Sequence, residues 1–337
     1  MVYIPSISSS LALITVLASA AQAATICTVA TGSSDAATAI TTAFTNCANG
    51  GTVVFTKGAT YNLNSLVSVT GLKGTKKWWD AGDKKAPTVL RITATSSSFS
   101  NFIIKQAPRA HIGITSSTGV TLNKITMNTV SSSSNDAHNT DAVDISNSKN
   151  IVWTNSDVTN GDDCLAINGN TSNVTLSGIS CTGSHGFSVG SLGKGGETDV
   201  VSDITVKGSK CTNCQNGVRI KTWPGGKGSV SGITFSDVTL TNVDNPILIT
   251  THYCDNNQKS YCTGNDASSL TISDVVLKDI SGSVSTAGNP ILNVNCSTKT
   301  PCSDFTLTDI SITKQSKTKS NICTNLSGSS KISYCSQ

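Results

Sequence analysis

Acidic and basic side chains return at nearly one interval through the otherwise neutral stretch from Asn139 to Lys221, and that interval restricts the folds open to the chain. Four segments carry them: Asn139-Thr140-Asp141 with Asp144 just beyond, Gly161-Asp162-Asp163-Cys164, Gly183-Ser184-His185-Gly186, and Arg219-Ile220-Lys221. From Asp141 to Asp162 is 21 residues, and from Asp163 to His185 is 22. A period of roughly 20 to 50 residues marks a solenoid, in which each repeat is one turn stacked on the last. Strands on adjacent turns lie about 4.8 Å apart. Residues distant in sequence then line up in one column: several acids, a histidine and two cations.

The rest of the chain fits such stacking. Apolar and polar residues alternate over three to eight positions and then give way to Ser, Asn, Asp or Gly. Examples run from Val120 to Met127, Ile151 to Thr154, Val174 to Ile179, Ile204 to Val206, Ile233 to Leu240, Leu270 to Leu277 and Phe305 to Ile312. Alternation of this kind signals strands. Several strands per turn, always progressing the same way, make an all-β right-handed parallel β-helix. A propeller would need about 40 residues per repeat, and the interval is too short for it. Ser33 to Cys47 carries Ile40, Phe44 and Cys47 at helical spacing, with Ser33, Ser34 and Asp35 placed to cap its start. This short N-terminal helix is expected to cover the open end of the solenoid, whose strand edges would otherwise be unpaired. Gly51 to Phe55 reads as the first strand.

Residues 1–23 read as a secretion signal, with an apolar core from Leu11 to Leu17 and a small-x-small site at Ala21-Gln22-Ala23. Residues 24–337 are expected to form one β-helical domain. The apolar run is too short to span a membrane. All 12 cysteines lie beyond the leader, an even number that suits an oxidising compartment. Sequence does not fix their pairing, but near neighbours suggest Cys27 with Cys47, Cys164 with Cys181, Cys211 with Cys214, Cys254 with Cys262, Cys296 with Cys302 and Cys323 with Cys335. Cys211 and Cys214 also have zinc-ligand spacing, but no second Cys or His pair completes such a site. Asn170, Asn173, Asn295 and Asn325 begin glycosylation sequons. The net charge of +4 is mild and the lysines are scattered. That pattern lacks the basic stripe of a nucleic-acid binder.

Adjacent aspartates constrain the column further. On a regular strand Asp162 and Asp163 would face opposite ways, and one would enter the apolar core at a cost of several kcal/mol. The pair is therefore expected at a bend from which both reach a groove. Crowding by Asp141 should raise at least one carboxyl pKa, as a general acid requires. Two carboxyls can hydrolyse a glycosidic bond. Arg219 and Lys221 suit the carboxylate of an acidic sugar, and His185 can orient or tune the acid. Taken singly, each aspartate reads more readily as a turn former or calcium ligand; the shared spacing and mixed charge argue for a site.

With these segments in this order, the chain resembles the polygalacturonases of glycoside hydrolase family 28, from the Cys27 region and Trp78-Trp79-Asp80 to the C-terminal cysteines. The resemblance implies a secreted right-handed parallel β-helix that hydrolyses α-1,4 bonds between galacturonic acid residues with inversion. It implies Asp162 as general acid, Asp141 and Asp163 as the base pair, and His185 linked to the acid's protonation. Asn139, Arg219, Lys221 and Tyr253 are the implied substrate-binding residues, and a Cys164–Cys181 bond is similar to the family's arrangement.

Three features depart from the family pattern. Ala142-Val143 stands where Gly-Phe is usual, and Thr250-Thr251-His252 replaces the run expected before Tyr253. The stretch between Leu66 and Trp78 is shorter than expected, as if turns were missing. The segments around His185 and Trp223 point toward exo-acting or xylogalacturonan-cleaving relatives. The expected partner is polygalacturonate or a related pectic polysaccharide, met outside the cell by a monomer needing neither metal nor organic cofactor, with no nucleic acid and no membrane involved. The alternatives are a xylogalacturonan hydrolase, a calcium-dependent pectate lyase on the same fold, and a catalytically impaired pectin-binding protein.

Overall fold

The computed structural model describes residues 25–48, 52–56, 59, 61, 65, 67–69, 86, 88–132, 134–262 and 268–336. The expected leader, the Trp78-Trp79-Asp80 segment and most of the short stretch before it lie outside the described residues.

The apolar alternation becomes two nine-stranded sheets, parallel throughout. The short-strand sheet stacks Leu90–Ile92, Ile112–Thr115, Val143–Ser146, Leu165–Ile167, Phe187–Leu192, Asn216–Thr222, Asn245–Thr250, Leu292–Asn295 and Ile322–Thr324 in that order. The long-strand sheet stacks Val67–Val69, Thr95–Lys105, Thr118–Asn128, Lys149–Thr159, Thr171–Thr182, Thr198–Thr212, Lys227–Val243, Thr271–Val284 and Ser303–Thr313. Successive strands alternate between the sheets, so the chain coils as a parallel β-helix. Its right hand follows from the twist of the strands it joins.

Register places like on like inside. Leu165 lies opposite Val143 below and Phe187 above, and Ile204 opposite Val174 and Ile233. Trp153, Phe187 and Phe235 fill the core between the sheets. The polar residues that punctuate the alternation mark the corners. Each long strand from Thr95 onward contains two or more left-handed residues, and one of them recurs as a series of bends at Asn101, Lys124, Asn155, Gly178, Gly208, Asp237, Asp279 and Asp309. Asn, Asp and Gly tolerate that conformation best. At other corners the side chains form ladders: Asn173 Nδ2 donates to Asn150 Oδ1 at 2.8 Å and Asn242 Nδ2 to Asn213 Oδ1 at 2.7 Å.

At the N-terminal end the helix Ala37–Asn46 buries Ala37, Ile40, Ala43 and Phe44 and packs against Val67–Val69. It starts later than the expected Ser33. Ser33 Oγ accepts the Asp35 N–H at 3.2 Å and Asp35 Oδ1 the Ala37 N–H at 3.0 Å, so those side chains shape the turn before the helix. The strand expected over Gly51 to Phe55 forms as Thr52–Val54, but it is not the first: Ile26–Thr28 precedes it and pairs with it in parallel. Six disulfides join near neighbours: Cys27–Cys47, Cys164–Cys181, Cys211–Cys214, Cys254–Cys262, Cys296–Cys302 and Cys323–Cys335. The first and last staple the two ends of the coil. Among the described residues no helix is long and apolar enough to cross a membrane. Of the four sequon asparagines, Asn170 and Asn173 are exposed at corners while Asn295 and Asn325 are half-buried.

Candidate active site

The charged column gathers where the short strands begin, on the outer face of their sheet. A bend before each strand releases the polar residues from inward-outward alternation. A single buried amide ties two of these bends together: Asn160 Nδ2 donates to the carbonyls of Thr140, Asp162 and Asp163 at 2.8, 3.0 and 3.0 Å. Thr140 adds a link, its Oγ1 accepting the Gly161 N–H at 3.0 Å. Gly186 completes the bend one turn on. Its φ is +92°, and a Cβ there would meet the Asn216 carbonyl oxygen at 2.1 Å. Adjacent turns approach closely at that point.

The bend gives Asp162 and Asp163 different partners. Asp162 Oδ1 lies 3.1 Å from His185 Nδ1, and Oδ2 accepts the Asn139 N–H at 2.8 Å. Burial pushes the Asp162 carboxyl up, but the His185 hydrogen bond and charge, the Asn139 N–H and Lys221 together outweigh it and hold the group below the usual carboxylate range. Asp163 is buried in a cage: Oδ1 accepts from Ser188 Oγ at 2.8 Å and Arg219 Nη2 at 2.5 Å, and Oδ2 from Lys221 Nζ at 2.9 Å. Arg219 Nε also donates to Ser188 Oγ at 3.0 Å. Ser188 faces Arg219 and Ala166 across the ladder, which sets this contact. Both oxygens of Asp163 are thus occupied by donors.

The raised carboxyls are elsewhere. Burial, then the charges of Asp144, Asp162 and Asp163, drive Asp141 well up against the opposing pull of Lys221. Burial and Asp163 push Asp144 up to about 7, partly offset by its hydrogen bond with Asp141. Two carboxyls joined by a hydrogen bond hold at least one proton. The rise expected from crowding is present, but on Asp141 and Asp144 and not on Asp162. Asp162 stays low because His185 sits within hydrogen-bond reach of it.

Below Asp141 a buried histidine fixes the backbone. The Asp141 carbonyl accepts the His111 N–H at 2.8 Å and pairs with its Nδ1 at 3.0 Å, while Nε2 lies 2.9 Å from Thr129 Oγ1. Burial lowers the His111 pKa to about 4, so the ring is neutral near pH 7 and Nδ1 can donate to the carbonyl.

On the other side of the cations, Lys221 Nζ lies 5.2 Å from the Tyr253 ring centre. That ring meets buried Trp223 edge-on at 4.9 Å, and burial raises the Tyr253 pKa. Asp162, Asp163 and His185 each have a ligand atom within 4.8 Å of the others, a grouping that can hold a cation. Arg219 and Lys221 already occupy both oxygens of Asp163, and their charge opposes one. Beside His185 opens a polar cavity of about 640 Å3.

All the sequence-expected residues meet here. Asn139 bonds Asp162, Arg219 and Lys221 hold Asp163, and Tyr253 flanks Lys221. Sequence reasoning missed Asn160, Ser188 and His111 as site residues. Asn160 adjoins the paired aspartates, which is the only local signal it gives. Asp144 stood in the expected segment without a role.

A family model described as "Glycosyl hydrolases family 28" matches residues 7–335. The chain is 54% identical over 320 residues to exopolygalacturonase rpg13 of Rhizopus delemar, covering 88% of each chain. It is 48% identical to exopolygalacturonase rpg16 of the same fungus, over 87% of this chain and 88% of the relative. Among solved structures it resembles endo-xylogalacturonan hydrolase from Aspergillus tubingensis, with a TM-score of 0.67, 28% identity, and 90% of this chain and 96% of that one covered.

Proposed function

The chain belongs to glycosyl hydrolase family 28, and on that premise we propose that it hydrolyses α-1,4-linked galacturonan in pectin, releasing residues from a chain end. The observation that carries the reading is the Asp162–His185 contact at 3.1 Å beside the Asp163, Arg219 and Lys221 cage. One half of that arrangement moves a proton and the other binds an acidic sugar. Exo cleavage is favoured by the relatives at 54% and 48% identity, both exopolygalacturonases.

In the free site Asp162 is held as a carboxylate: against its burial, its pKa is lowered chiefly by the His185 hydrogen bond. A substrate carboxylate docking on Lys221 and Arg219 offsets the Lys221 charge, one of the influences that hold Asp162 down. Added negative charge raises a carboxyl pKa, so binding itself returns Asp162 toward the proton-carrying state that a general acid needs. Asp162 then protonates the departing glycosidic oxygen as the bond to the anomeric carbon breaks. Asp163, relieved of part of its cage, takes the proton of the attacking water, and Asp141 helps to position that water as the other half of the base pair. Inversion follows if water enters from the face opposite the leaving group.

We further propose one catalytic β-helical domain over residues 24–337, secreted behind a leader at 1–23 and acting as a monomer without metal or organic cofactor, nucleic acid or membrane. Glycosylation is favoured at the exposed Asn170 and Asn173 over the half-buried Asn295 and Asn325.

The test is product analysis on polygalacturonate with chelator present, for the unaltered protein and Asp162→Asn. The expected result is chelator-resistant release of monomer, lost in the variant, with proton NMR showing the first product inverted at the anomeric carbon. Mixed oligomers from the start would refute exo action. An inactive, folded wild type would refute the hydrolase.

A further inference from the structure

Two segments that take no part in the proton chemistry meet on the wall of the groove opposite His185. The strand Phe187–Leu192 starts just after His185 and ends just before Lys194. Leu192 pairs with Thr222, the last residue of the strand that carries Arg219 and Lys221. Lys194 therefore stands past the end of that strand, on the far side of the two cations from Asp162.

Aromatic rings build the wall there. Tyr261, 42% exposed, meets buried Trp223 edge-on at 6.1 Å, and Tyr253 meets the same indole at 4.9 Å. One bond pins both tyrosines: Cys254 and Cys262, which directly follow them, form a disulfide. Lys194 Nζ lies 4.8 Å from the Tyr261 ring centre, within cation–π range. The Lys194 loop is itself tied down. Asp199 Oδ2 accepts the Gly193 N–H at 2.7 Å, and a Cβ on Gly195 would lie 3.1 Å from Tyr261 Cε1, so the two loops touch.

These groups lack acceptors. Among the described residues Lys194 Nζ has no carboxylate partner, and neither the Tyr253 nor the Tyr261 hydroxyl has a hydrogen-bond partner. Asp255 acts on Tyr253, but its Oδ2 accepts from Gln258 Nε2 at 2.7 Å. In the free protein Asp163 neutralises Arg219 and Lys221, whereas the charge of Lys194 is met only by a ring. A cation beside two unengaged phenols matches a carboxylate with hydroxyls next to it. A linear galacturonan carries a carboxylate on every residue, so the one seated on Arg219 and Lys221 brings others with it.

We propose that Lys194, held on Tyr261, forms an outer subsite of the groove. It takes the carboxylate of a galacturonate beyond the one on Arg219 and Lys221, and the Tyr253 and Tyr261 hydroxyls bind that sugar's own hydroxyls. The inference rests on the hydrolase reading for what fills the inner cage. Because Tyr261 already orders the lysine, little freedom is left to lose on binding. The gain is in affinity for long chains and not in the rate of the chemical step.

The test measures kcat and KM on galacturonate oligomers from dimer to hexamer, for wild type, Lys194→Met, Lys194→Arg and Tyr261→Ala. Wild-type kcat/KM should rise with length. Lys194→Met should lose about tenfold in kcat/KM on the hexamer, equivalent to about 1.4 kcal/mol. That loss should lie in KM, with kcat within about twofold, and should shrink to about twofold or less on the dimer. Tyr261→Ala, which frees the lysine, should show the same length dependence in weaker form. Lys194→Arg should keep the hexamer KM within about threefold of wild type. A Lys194→Met loss equal on dimer and hexamer, below about twofold on the hexamer, or confined to kcat would overturn the subsite. Should wild type cleave no oligomer, the hydrolase reading fails, and calorimetric titration decides the subsite separately. Hexagalacturonate binding weakened about tenfold by Lys194→Met, with binding of its methyl ester unaffected, then supports it. Equal hexagalacturonate affinity in wild type and variant refutes it.

Discussion

Replacing Asp163 with Asn should be among the most destabilising single changes at the site. The carboxylate is 3% exposed and accepts from Ser188, Arg219 and Lys221, and the two cations are themselves only 8% and 9% exposed. An amide preserves the volume but turns an NH2 toward one of the cations and removes the charge that neutralises both. Breaking a buried ion pair from one side costs about 3–5 kcal/mol. Unfolding entropy of about 2.1 cal/mol/K per residue, over roughly 310 residues, makes that a fall in Tm of about 5–8 °C. Thermal unfolding followed by circular dichroism at pH 7 measures it. A double-mutant cycle supplies the decisive control. Lys221→Met removes one stranded cation, so Asp163→Asn combined with Lys221→Met should cost less than the sum of the single changes by about 1–3 kcal/mol. A Tm change below about 1 °C for Asp163→Asn, or additivity within about 0.5 kcal/mol, would refute the cage.

Two buried groups should tilt stability with pH in opposite senses. The Asp144 pKa is raised from 3.8 to about 7, so its contribution is fully present below pH 4 and is lost as pH rises toward 7. Asp144→Asn should remove that slope, worth up to about 4 kcal/mol; equal slopes in denaturant midpoints from pH 4 to 7 would contradict it. The His111 pKa is lowered from 6.5 to about 4, so its contribution is present above pH 6.5 and is lost toward pH 4. His111→Asn should remove an acid-side loss of about 3 kcal/mol over that window, measured the same way. Gly186→Ala should destabilise by more than the roughly 1–2 kcal/mol of its left-handed backbone alone, because the Cβ would meet the Asn216 carbonyl oxygen at 2.1 Å. A melting point within 1 °C of wild type would show that the turns separate freely there.

The column was legible in sequence because charge is scarce there and its first two turns, Val143 to Leu165 and Leu165 to Phe187, each take 22 residues. Over those turns a residue 21 or 22 positions on returns to almost the same place, so Asp141, Asp163 and His185 could be stacked without coordinates. The next turn, from Ser188 to Arg219, takes 31. Near-neighbour cysteines were legible for a related reason, since a chain that coils tightly keeps sequence neighbours close in space. The partner chosen by each side chain was not legible. Asp163 finds Lys221 across 58 residues and Ser188 across 25, and nothing local to Ser188 distinguishes it from the many serines of the corners. His111 was hidden similarly, since its bonds to Asp141 and Thr129 come from neighbouring turns. The Asp162 pKa shows what this difference means for chemistry. Stacking three acids predicts that some carboxyl rises, and that depends only on which residues share the column. The one that rises depends on where each cationic donor points: His185 and Asn139 favour the charged form of Asp162, Arg219 and Lys221 occupy Asp163, and Asp141 and Asp144 are left to hold the proton. A substrate carboxylate that draws Arg219 and Lys221 toward itself would redistribute that proton, so the site's protonation in the free protein is a starting state and not the working one.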